Sequence, residues 1–160
     1  VSTKTLKLPH RPLPSREEAA QRLDDFEPVK NKPGRNMAEY RYWQAVTEAL
    51  NEPIRPFREY QQTVAALGPV ALVPFPGEPF AETVLRLRAA SPFQHTLCAS
   101  TSCGNHGYFP TRESYNRGGY EAWIGKALGA YLLAENIDDV LYDENLSILT
   151  DLHTRVYCWD

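Results

Sequence analysis

The chain is poor in the residues that mark the commoner kinds of site. Three of its 160 residues are cysteine, and Cys98, Cys103 and Cys158 form an odd set with no C-x-x-C pair. That spacing argues against a structural zinc site built on sulfur. There is no basic surplus either: the formal net charge is −3 and the lysines and arginines are scattered. A basic face for nucleic acid is thereby excluded. No apolar run approaches the roughly 20 residues that a spanning helix needs, so no transmembrane segment is expected. G-x-S-x-G, H-E-x-x-H and the phosphate loop are all missing. So is a signal peptide, but the chain starts at Val1 instead of methionine and looks truncated, so its start reports no compartment.

What is present suits a globular domain. Hydrophobic residues make up 42% and charged residues 23%, which is ordinary for a packed chain and too apolar for a disordered one. A chain of this length buries about 68–70% of its unfolded surface, enough for one domain or a large piece of one.

Local signals divide the chain. "VSTKTLKLPHRPLP" alternates up to its prolines and reads as an edge strand. Ser15 with Glu18 is a capping box that opens a helix over about 16–26, and Asn36 with Glu39 repeats the signal. The second helix carries Tyr40, Trp43, Val46 and Leu50 on one face, so the pair reads as a helical hairpin. "REYQQTVAAL" and "VALVPF" flank Gly68-Pro69 as two strands, the second apolar enough to be central and buried. A helix after Pro79 presents Phe80, Val84 and Leu87, and "FQHTLCAST" follows as a strand in which Cys98 is expected to be a buried thiol. Ile137, Val140, Leu141, Ile148, Leu149 and Leu152 then mark a long helix over about 134–154. Strands and helices mix without a regular βαβ rhythm, which predicts an α+β fold with a mixed sheet and packed helices.

Two stretches fit none of these elements. "VALVPFPGEPF" ends its strand in Glu78 between Pro76 and Pro79, with Gly77 expected to let the backbone turn. A carboxylate held so rigidly suits a metal ligand or base, and equally a cap for the next helix. "HGYFPTRESYNRGGYEA" brackets a short helix, starting after Pro110 and stopped by Gly118-Gly119, between Tyr108 and Tyr120. That arrangement returns Tyr120 towards Tyr108, although a tyrosine is more often a core residue than a ligand. His106 is a further loop histidine of the ligating type, although a lone loop histidine usually faces solvent; His95 reads as structural, and His10 and His153 have no partner at ligand spacing.

In their order, "VALVPFPGEPF", a helix, "SPFQHTLCAST" and "GYFPTRESYNRGGYEA" resemble the C-terminal part of the catalytic domain of neutral/alkaline non-lysosomal ceramidases and their bacterial relatives. The resemblance covers roughly residues 1–122 and leaves 123–160 as a helical extension packed on that part. It implies a zinc-dependent hydrolase of the amide bond of ceramide or another lipid-like amide. Carried over by position, Glu78 and Tyr108 are zinc ligands and Tyr120 donates to the oxyanion. The remaining two ligands are histidines from the N-terminal part of the family's domain, which these residues do not include, so this piece alone is expected to be inactive. In the loop before Tyr108 the chain has Cys103 and Asn105, where relatives often carry an asparagine and an aromatic. The reading from a different class is a non-catalytic binding or scaffold module that retains the fold.

Overall fold

The computed structural model of the chain describes residues 1–53, 55–127 and 132–157. It is an α+β fold, a mixed sheet packed against helices. The chain opens with β1 (Ser2–Pro9), which turns Leu6 and Leu8 inward. It then leaves the sheet for a helical pair, α1 (Arg16–Phe26) and α2 (Arg35–Ala49). Ser15 caps α1 as its sequence predicts, its hydroxyl accepting from the Glu18 N–H at 3.1 Å. The second capping signal is not used. α2 is already under way at Arg35, with Gly34 as N-cap at φ 92 and no side-chain cap, so Asn36 lies inside the helix. Its buried face also differs from the expected one. Ala38, Tyr42, Val46 and Leu50 point inward, while Tyr40 and Trp43 are half-buried flanks. A row spaced by four residues forms a single ridge, and α2 needs it to pack on α1 and on a later helix at once.

β2 (Phe57–Leu67) returns antiparallel to β1, from Pro9 beside Phe57 to Ser2 beside Val64. The turn to β3 (Val70–Pro74) uses only Gly68-Pro69, with Gly68 at φ 55. A two-residue hairpin of this kind wants glycine first because that position lies at positive φ. The chain then passes through the two-residue β4 (Glu78–Pro79) into α3 (Ala81–Ala90) and back to β5 (His95–Ala99), which runs parallel to β3. The sheet order is β1-β2-β3-β5. β3 is central as expected but buried on one face only: Ala71 and Val73 are covered, whereas Leu72 is 45% exposed.

The remaining elements are β6 (Tyr108–Phe109), α4 (Arg112–Arg117), α5 (Tyr120–Ala127) and α6 (Ile137–Tyr157). The residue 123 boundary falls within α5, and α6 lays Leu141, Ile148, Leu149 and Leu152 into the same core as Leu6, Leu8, Val64 and Phe75. The end of the aromatic tail, Cys158 to Asp160, lies outside the described residues.

Cys98 is half-buried on β5 and not fully enclosed, and burial pushes its thiol up to about 11. At pH 8 only about one such thiol in a thousand is ionised, and the thiolate is the reacting form. Cys103 is exposed. Iodoacetamide at pH 8 is therefore expected to label Cys103 well before Cys98 in a peptide-mass time course. Equal rates would mean that β5 opens readily.

Candidate functional site

The stretch after β3 is fastened to the stretch after β5 by main-chain bonds. Phe75 N donates to Ala99 O at 2.8 Å, Ser102 N to Phe75 O at 3.1 Å, and Thr101 N to Gly77 O at 3.0 Å. His106 N then donates to Pro76 O at 2.7 Å and Glu78 N to Gly107 O at 2.9 Å. The result is a second, two-stranded parallel sheet in which Glu78 is the register partner of Tyr108 and Pro79 of Phe109. Residues opposite each other in such a ladder project to the same face. A carboxylate and a phenol thirty positions apart in sequence thus become neighbours.

Gly77 makes this closeness possible, for a reason the sequence did not show. It is buried, and a Cβ there would lie 2.3 Å from the Gly107 carbonyl oxygen. Its φ is not among the positive ones, so close approach and not a special turn calls for glycine. Thr101, which donates to Gly77, does sit at φ 50. A β-branched residue there is strained by roughly 1–3 kcal/mol, the kind of outlier that clusters at functional segments.

Beyond β6, Thr111 caps α4 by accepting from Ser114 N at 3.2 Å, and Gly118 at φ 78 ends that helix. The chain doubles back as the sequence predicts. The Tyr120 ring meets Tyr108 edge-on at 6.3 Å between centroids and Trp123 at 5.2 Å. Tyr120 is nonetheless 53% exposed, so its hydroxyl is free to meet a ligand. Glu78 does not cap α3: the N-cap is Phe80, with no side-chain bond. Among the described residues no hydrogen bond or ion pair engages the Glu78 carboxylate. Its charge acts on Tyr108, whose phenol it raises above the usual value, with smaller contributions from desolvation, Tyr120 and Glu121.

Three of the four histidines lie on other segments than this pair, and His106 lies in the loop just before Tyr108. His106 is half-buried and not solvent-facing, and desolvation followed by the Arg58 charge lowers its pKa, which favours the neutral ring. His95 is exposed on β5, His10 Nδ1 lies 2.7 Å from the Arg55 carbonyl, and His153 packs edge-on against Phe93. Among the described residues no three of His, Cys, Asp and Glu gather closely enough to hold a metal ion. A cavity of about 430 Å³ between His10, Leu13, Ala49 and Pro53 is lined by neither Glu78 nor Tyr108. No protein-family model, no curated protein and no solved structure matches the chain.

A buried relay behind the site escaped the sequence reading. Tyr60 donates to Gln62 Oε1 at 2.8 Å, so its oxygen accepts from the Cys103 thiol. Gln62 Nε2 donates to Pro74 O at 2.9 Å and to Asn145 Oδ1 at 2.5 Å, and Asn145 passes its own N–H to Leu141 O at 2.7 Å. Gln62 and Asn145 are both fully buried. A satisfied network of this sort fixes one arrangement of its parts, here β2, β3, α6 and the loop that leads to Tyr108. Asn105 plays a local part, its side-chain oxygen accepting from Gly107 N at 3.1 Å.

Proposed function

We propose that this chain is part of a zinc-dependent amidohydrolase, in which Glu78 and Tyr108 hold the metal and Tyr120 serves the oxyanion. The observation that carries the reading is the register pairing of Glu78 with Tyr108, with the Tyr120 ring against the latter. Two adjacent oxygen donors fit two positions of a four-coordinate zinc site, and three protein ligands are usual in a catalytic one. The missing donors are then the two histidines of another polypeptide segment, the N-terminal part of the parent domain. Zinc bound there would supply a Lewis acid and an acidified water.

The chain's own residues do the rest. Glu78 presents a carboxylate that no other described residue engages, on backbone fixed by the ladder to β6. Beside that carboxylate alone, Tyr108 keeps its proton more firmly than a free phenol. A divalent cation reverses the local field, so loss of the Tyr108 proton is itself a sign of metal binding. Tyr120 packs between Tyr108 and Trp123, and in this reading its hydroxyl is the donor to charge that develops on a carbonyl oxygen. The substrate class, an N-acyl amide with lipid-like tails, rests on the motif resemblance.

The 160-residue chain alone is expected to bind zinc weakly and to show no amidase activity, since it carries two ligands. Calorimetry tests the affinity, and tyrosinate absorbance near neutral pH tests the mode. Adding a histidine-bearing companion chain should tighten binding and raise the tyrosinate signal, and Tyr108→Phe should remove that signal. Tight stoichiometric zinc binding by the chain alone would overturn the ligand count. Companion-assisted binding that ignores both Glu78→Gln and Tyr108→Phe would leave the scaffold reading.

A further inference from the structure

The outer face of the main sheet is bare at one corner. Register sets Leu67, Val70 and His95 in one row across β2, β3 and β5, and Ala65, Leu72 and Leu97 in the next. Leu67 is 79% exposed, Leu72 45% and Leu97 53%. On the β1 side the same face is polar, with a Thr3–Thr63 hydroxyl pair and Gln61 donating to Thr5. The apolar corner runs to β5, which among the described residues pairs with β3 on one side only. The open edge of β5, "HTLCA", has none of the usual protection: no lysine, no proline, no bulge. The opposite edge strand, β1, carries Lys4, Lys7 and Pro9.

Beside the open edge lies a cavity of about 440 Å³ lined by Val70, Arg88, Ala89, Gln94, His95 and Leu97. Arg88 engages no carboxylate among the described residues. Helix-dipole attraction accounts for an arginine in the last turn of α3, but not for its place on the wall of a cleft that holds no carboxylate to meet it.

We propose that this corner is a strand-addition site for an extended segment of a different polypeptide. The segment pairs with the open edge of β5, sets alternate apolar side chains beside Leu97, and brings a carboxylate to Arg88. Main-chain bonds supply affinity in this mode, and the side pockets supply selectivity. Charge decides against a second copy as the occupant. The chain's own edge strands, "STKTLKLP" and "HTLCA", contain no aspartate or glutamate to meet Arg88. The inference stands apart from the metal reading, because neither Glu78 nor Tyr108 takes part.

The probe is an acetylated and amidated octapeptide alternating valine with threonine, with glutamate at both ends so that either strand direction reaches Arg88. Titrated to about 1 mM into the isotope-labelled chain, it should shift the amides of residues 95–99 and leave those of β1 unmoved. A peptide with lysine at both ends should bind at least about tenfold more weakly, and Arg88→Glu should invert that preference. N-methylation of alternate peptide groups should abolish binding. Absence of shifts at that concentration, equal binding of the lysine peptide, or indifference to N-methylation would overturn the proposal. So would self-association of the chain through β5 in the absence of peptide.

Discussion

Gly77→Ala is expected to destabilise the chain by about 3 kcal/mol or more, at the upper end for overpacking, and to lower its Tm by roughly 10 °C. The added methyl carbon would sit 2.3 Å from a backbone oxygen, Gly107 O, and 3.0 Å from the Phe109 ring. Side chains can rotate away from such a contact; the backbone of a ladder cannot. Relief requires the two segments to part, which breaks the bond from Glu78 N to Gly107 O and separates Glu78 from Tyr108. Thermal unfolding measures the cost, and loss of the tyrosinate signal with zinc and companion chain reports the site. Gly118→Ala is the control. Unlike Gly77 it lies at a positive φ, 78, but nothing is within 4 Å of it, so it should cost only about 1 kcal/mol in backbone strain. Equal effects would show that the close approach does not matter.

The second large effect is catalytic. In the complete parent enzyme Tyr120→Phe should lower kcat by roughly 10²–10³-fold, with KM nearly unchanged. The hydroxyl it removes would act on charge that exists only in the transition state. Stability should not move, because Tyr120 is 53% exposed and its ring contacts with Tyr108 and Trp123 survive the change. Tyr115→Phe gives the opposite pattern. Tyr115 is half-buried, desolvation raises its phenol, and the Arg11 guanidinium lies 5.8 Å from its ring centre. Losing its hydroxyl should cost about 1 kcal/mol of stability and leave kcat intact. If the two variants behave alike, the oxyanion role of Tyr120 is wrong.

Local physics made much of this fold legible in advance. A cap depends on residues three apart, and Ser15 and Thr111 both cap their helices through the N–H three residues on. Gly68-Pro69 specifies its hairpin by itself, and the pause at Gly118-Gly119 sends Tyr120 back to Tyr108. What stayed hidden depends on distant partners. Gln62 looks like a solvent-facing residue in "REYQQTVAAL", and its burial depends on partners that the local pattern does not show, Pro74 O and, 83 positions away, Asn145. The apolar run of β3 could not reveal that one face lies open, because Leu72 and Val73 read alike until the sheet separates them. Gly77 read as a turn residue because the oxygen that crowds it belongs to Gly107. Glu78 and Tyr108 were readable as types in a pattern, but their adjacency needed the second ladder.

The joining of β1 to α6 sets an order of events during synthesis. Lys4 pairs with Glu144 at 2.5 Å, and Leu6 and Leu8 share a core with Leu141, Ile148 and Leu149. β1, made long before α6, therefore waits for a late helix before its inner face is dry. The α1–α2 pair has its own small cluster, built on Ala19, Tyr42, Val46 and Leu50, and can collapse while the rest is still being made. β1 and β2 cannot: until α6 emerges they present an apolar sheet face to solvent or to a chaperone. A nascent chain arrested at residue 136 should thus be protease-resistant in its helical pair and sensitive in its strands, and release of a further 21 residues, the length of α6, should close the whole.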